Sequence, residues 1–149
     1  PGIIRLAKQW PQIHLAISLH AANDADRSAM MPINKRFPLA KLQEALKTYF
    51  TYSHRKVFLE YILLKNVNDS ERHVQELIAF IHGIGTSQLL HVNLIVYNKT
   101  SSSYDETSRE QTHTFAKLLR SAGIHVTIRK NLGRDIAGAC GQLAGATSP

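Results

Sequence analysis

The chain has one cysteine, Cys140, in the stretch DIAGACGQLAG at residues 135–145. Alanine and glycine flank it, so little apolar bulk is at hand to bury the sulfur, and small neighbours let a large ligand approach closely. Arg129, Lys130 and Arg134 precede it; cations near a thiol lower its pKa and favour the nucleophilic thiolate. A lone cysteine is more often a structural group, but these surroundings argue for a reactive one. A second set of polar groups falls at strand ends. Ser18 and His20 share a face near the end of an alternating stretch, and Asn98 closes another. Each can hydrogen-bond a ligand hydroxyl or carboxylate, although a Ser-x-His at a strand end often does no more than satisfy loop backbone. Glu60 is a single acid inside an apolar run. A buried acid needs a partner: an arginine or lysine is the first expectation, a ligand hydroxyl the alternative.

Other chemistries are excluded. The 8 histidines, at 14, 20, 54, 73, 82, 91, 113 and 125, show neither HExxH nor zinc-finger spacing, and no metal site is expected from this chain. One cysteine rules out an internal disulfide and points to a reducing, cytoplasmic setting. There is no GxSxG elbow, Walker motif or GxGxxG. The Asn98–Thr100 sequon is discounted, because nothing suggests secretion. No apolar run approaches the ~20 residues that span a bilayer, and the opening PGIIRLAKQW lacks the apolar core of a signal peptide. The net charge of +7 favours a polyanion such as RNA. With aromatic content at 7%, base-stacking platforms are not obvious.

The elements that must position these groups alternate along the 149 residues, a length that suits one domain. HLAISLHA (14–21), KVFLEYILL (56–64), LLHVNLIVYN (89–98) and HVTIRK (125–130) read as strands. Between them, Leu39, Leu42, Leu46 and Phe50 fall at helical spacing after Pro38; Val74, Leu77, Ile78 and Ile81 do so after cap residues in NVNDS. TSRE (107–110) has capping-box spacing before Phe115, Leu118 and Leu119, and Gly123 is a natural stop. The order β-α-β-α-β-α-β predicts an α/β fold, a parallel sheet with helical crossovers and ligands beyond the carboxyl ends of the strands.

LAISLHAAND, MPINK, EYILLKNVND, VNLIVYN and DIAGACGQLAG occur in this order along nearly the whole chain. Together they resemble the C-terminal half of the RlmN/Cfr family, radical S-adenosylmethionine (SAM) enzymes that methylate an adenine of 23S ribosomal RNA. The resemblance implies that residues 1–149 are the later part of a partial (β/α)6 radical SAM barrel. A cysteine loop would occupy about 131–149, and the N-terminal cluster-binding part, with its CxxxCxxC motif, lies outside this chain. It implies that Ser18, Leu19, His20 and Asn98 bind SAM and that Cys140 is the methyl-carrying catalytic residue. One SAM would methylate the cysteine. A second, cleaved at a [4Fe-4S] cluster, would give the radical that passes the methyl carbon to adenine. Transfer to C2 is expected over C8, with transfer RNA as a further substrate of C2 enzymes, and the chain is expected to be inactive without the remainder of its polypeptide. NKTSSS stands where the family often has NPxPG, and GRD where an acidic pair is common; fine specificity is where those departures would tell. Two other readings are a non-catalytic RNA-binding module and a different barrel enzyme using Ser18, His20 and Glu60.

Overall fold

Burial alternates along the strands and thereby sets the architecture. In the computed structural model, which describes residues 1–98 and 103–129, Val57, Leu59, Tyr61 and Leu63 are buried while Phe58, Glu60 and Ile62 between them are only partly covered. The same alternation runs through residues 90–95 of the next strand. The elements are α1 (Gly2–Gln9), β1 (Leu15–Ser18), α2 (Asp24–Met30), a 3-10 turn (Pro32–Lys35), α3 (Leu39–Tyr52), β2 (Val57–Leu63), α4 (Glu71–His82), a second 3-10 turn (Ser87–Leu89), β3 (Leu90–Val96), α5 (Arg109–Ser121) and β4 (His125–Arg129).

The strands form one parallel sheet in the order β1-β2-β3-β4. Parallel neighbours joined by right-handed crossovers place every connecting helix on the same face. Accordingly Leu46 and Tyr49 of α3, Leu77 and Ile81 of α4, and Phe115 and Leu119 of α5 join a single apolar cluster with the buried strand residues. The opposite face carries three cross-strand rows. Ala16, Phe58, His91 and His125 lie near the amino ends; Ser18, Glu60, Asn93 and Thr127 come next; Ile62, Ile95 and Arg129 lie toward the carboxyl ends.

The strands and the three long helices lie where periodicity predicts them. The ends differ. β1 stops at Ser18, short of Ala21, because the chain turns there. Pro38 is the N-cap of α3. Ser70 caps α4 through a capping box with His73. The cap of α5 is Ser108, whose hydroxyl accepts from Gln111 N; Thr107 is instead buried, its hydroxyl donating to Asp69 Oδ2 at 3.0 Å. That corrects the TSRE reading: the tertiary acceptor wins over the local one. Gly123 ends α5 with φ +77°, the conformation for which glycine is suited. α1 and α2 carry no clear sequence signal, since each buries one residue, Ala7 and Arg27. Among the described residues no helix is long and apolar enough to cross a membrane.

The two faces predict different sensitivities on one strand. Leu94→Ala, beneath the helices, should cost about 2–5 kcal/mol in urea denaturation. Ile95→Ala, one residue on and only partly covered, should cost less than half as much; equal losses would contradict the one-sided core.

Candidate active site

At the carboxyl end of β1 the chain leaves the sheet through Ser18, Leu19 and His20. Leu19 N and His20 N both donate to Glu60 O, at 2.9 and 3.3 Å. His20 has φ +60°, a left-handed conformation uncommon outside glycine, although histidine is among the residues that adopt it more readily. Its carbonyl accepts from Asn68 Nδ2 at 2.8 Å. Its Nδ1 accepts from Ile62 N at 3.2 Å. A ring nitrogen that accepts from a backbone N–H carries no proton, so the neutral ring holds its proton on Nε2. Burial, then the positive Arg27, push the His20 pKa down against the attraction of Glu60. The ring is therefore a neutral Nε2–H donor at physiological pH. Arg27 donates from Nε to Leu19 O at 3.1 Å and from Nη2 to Ser18 O at 3.2 Å.

The sequence-predicted residues divide as follows. Ser18 is exposed at the end of β1, opposite Glu60 in register. Leu19 is fully buried and contributes its backbone. Asn98 is buried just past β3, at the same end of the sheet. Glu60 has its expected arginine: Arg129 Nη1 lies 3.4 Å from Glu60 Oε2, and Asn93 Nδ2 donates to Oε1 at 2.8 Å. Cys140, Lys130 and Arg134 lie outside the described residues.

Sequence reasoning missed the groups that hold this site. Arg27 and Asn68 reach the turn from α2 and from the loop after β2, contacts that no local spacing announces. Asp26, His73 and Glu76 also converge, with potential ligand atoms within 4.8 Å of one another. The Arg72 guanidinium already sits against that group, 2.6 Å from Glu76 and 3.4 Å from Asp26. At the amino end of the open face His14, Phe58, His91 and His125 form a row of rings with successive centroids 6.1, 5.6 and 6.3 Å apart.

Comparison with known proteins adds to this geometry. No family model matches the chain. It is 47% identical over 152 residues to a probable dual-specificity RNA methyltransferase RlmN of Roseiflexus sp. (strain RS-1), covering 98% of this chain and 38% of that protein. It is 42% identical over 149 residues to the ribosomal RNA large subunit methyltransferase Cfr of Staphylococcus warneri, covering 97% and 43%. This chain is a relative of the RlmN and Cfr methyltransferases. It spans about two fifths of the length of these curated relatives. A crystal structure of a radical SAM methyltransferase from Sphaerobacter thermophilus superposes with TM-score 0.88 at 41% identity, covering 95% of this chain and 41% of that one. A domain of a pyruvate-formate lyase-activating enzyme from Bacteroides vulgatus, 15% identical with TM-score 0.64, shares the fold alone. The parallel α/β sheet thus matches that of the Sphaerobacter thermophilus radical SAM methyltransferase. The segments that carry the RlmN/Cfr likeness are largely the ones that build the turn: Asn34 in MPINK supports Arg27, and EYILLKNVND supplies Glu60 and Asn68.

The half-buried His20 imidazole has a pH consequence. A histidine whose folded pKa is depressed binds its proton more readily when unfolded, so stability is lost as pH falls through the ordinary value of 6.5. His91, lowered by burial and Lys56, acts in the same direction. The urea midpoint should fall between about pH 7.5 and about pH 5.5. His20→Asn, which tolerates positive φ, should flatten that slope; an unchanged slope would remove His20 from the account.

Proposed function

We propose that this chain is the later part of a (β/α)6 radical SAM barrel in a cytoplasmic enzyme that methylates adenine of 23S ribosomal RNA at C2, with transfer RNA as a further substrate. The observation that carries this reading is the built turn at Ser18–His20. A chain 47% identical to an RlmN relative fixes a half-buried, neutral Nε2–H donor at the carboxyl end of a parallel sheet, where ligands of such folds bind.

The donor set suits SAM: the Ser18 hydroxyl, the His20 Nε2–H and the Asn98 amide are neutral groups that match ribose hydroxyls, a carboxylate and an adenine edge. When bound, SAM supplies the methyl group and, at a [4Fe-4S] cluster, the 5′-deoxyadenosyl radical. With one cysteine in the sequence, the cluster ligands belong to the remainder of the polypeptide. The edge of β1 in the described sheet offers unpaired backbone on which preceding barrel strands would add. Cys140, as a thiolate, would take the methyl group from SAM, with S-adenosylhomocysteine as the leaving group, and would carry the methyl carbon to the base. The basic surface, net +7, steers RNA toward the site.

C2 transfer follows the higher identity to the RlmN relative; C8 transfer is the second reading, favoured by the Cfr relatives at 42%. Anaerobically purified enzyme, with its cluster present, should carry one methyl on the Cys140 peptide by mass spectrometry, and Cys140→Ser should abolish transfer to RNA. Nucleoside analysis of the product should give 2-methyladenosine; 8-methyladenosine would select the second reading. An unmodified Cys140 in enzyme exposed to SAM, with RNA binding intact, would favour a non-catalytic RNA-binding module.

A further inference from the structure

Arg27 is 5% exposed, yet it forms no ion pair among the described residues. A buried cation is costly unless its donors are satisfied. Arg27 satisfies three of them, and two go to consecutive main-chain carbonyls: Nε to Leu19 O and Nη2 to Ser18 O. Its Nη1 donates to Asn34 Oδ1 at 2.6 Å. Asn34 is itself fixed, for its Nδ2 donates to Asp24 Oδ1 and Ser28 Oγ, both at 2.9 Å. Asp24 Oδ1 also accepts from Leu39 N, the first residue of α3. The guanidinium is thus braced against α2, the 3-10 turn and α3. From the other side of the turn Asn68 holds His20 O and Ile62 O, while its own Oδ1 accepts from Leu64 N and its carbonyl accepts from Tyr61.

All three carbonyls of Ser18–Leu19–His20 therefore accept from a side chain rather than from a neighbouring strand. A rigid planar fork can span two adjacent carbonyls, which a lysine cannot do. We propose that Arg27 is a positioning residue for the SAM site: paired with Asn68 across the turn, it clamps the Ser18–His20 backbone so that His20 keeps its left-handed conformation and its Nε2 proton. This rests on the reading of that turn as the SAM site. Arg27 touches the turn from behind and takes no part in the chemistry.

The fold offers a direct test. Arg27 also lines a cavity of about 460 Å³ between α1 and α3, together with Ile3, Phe37 and Leu42. Truncating the side chain leaves carbonyl acceptors beside that cavity, where a free guanidinium ion can enter. The first readout needs no ligand: in the full chain, labelled with 15N at histidine, the ring nitrogens of His20 report the tautomer. The second is SAM affinity of the cluster-loaded enzyme by equilibrium dialysis. Arg27→Ala should replace the single Nε2–H tautomer with a mixture. It should weaken SAM binding about tenfold or more, the loss expected for a charge-assisted hydrogen bond. Millimolar guanidinium, and not methylammonium, should restore both. Arg27→Lys, folded and still cationic, should show the same two losses.

A folded Arg27→Ala or Arg27→Lys enzyme with the wild-type His20 spectrum overturns the clamp. A lost tautomer with unchanged SAM affinity upholds the clamp on the turn and overturns its reading as the SAM site. Should Arg27→Ala fail to fold, Asn34→Ala removes only the brace; it should give a smaller change of the same kind, and no change in either readout overturns the proposal.

Discussion

A strand that ends inside a protein must give its last carbonyls and amides to something other than the next residue of a neighbouring strand. In this chain that constraint falls on Ser18, Leu19 and His20, where β1 stops while β2 and β3 run on. The amides of Leu19 and His20 share the Glu60 carbonyl, and the three carbonyls go to Arg27 and Asn68. A positive φ at His20 is tolerated because both ends of the residue are held. Much else follows from this: the depth of Arg27, the 3-10 turn that places Asn34, and the orientation of the loop after β2.

The sheet leaves room for such a turn because it is wound one way only. Consecutive parallel strands with helices on a single face bury one side beneath the helices and leave the other partly open, with room for polar groups among its apolar ones. Glu60 illustrates the result. In a two-sided sheet it would be an isolated acid in an apolar strand; here it lies between Asn93 and Arg129 on the open face.

What was legible in the sequence was what repeats. Period-two alternation located β1, a nearly continuous apolar run located β2, and helical spacing located α3, α4 and α5, because each buries apolar side chains against the rest of the fold. The partner of Glu60 was legible in kind, since a lone acid in an apolar run must be compensated. α2 was not legible: its buried residue is an arginine, which reads as solvent-facing in any hydropathy pattern. Nor was the true cap of α5, because Thr107 has cap chemistry but spends its hydroxyl on Asp69, 38 residues away. Ser18, His20 and Asn98 were legible as polar groups at strand ends. Arg27 and Asn68 were not, because their importance lies in main-chain acceptors that a sequence does not display.

The two halves of the clamp also differ in reach along the chain. Arg27 closes on the turn from 8 and 9 residues away, whereas Asn68 closes on it from 48. Short loops close at lower entropic cost and form sooner. During folding the Arg27 side can therefore assemble as a local unit with α2, while the Asn68 side must wait until β2 has docked beside β1. The left-handed bend at His20 is complete only after that second step, so its appearance marks the moment when the first two strands have found their register.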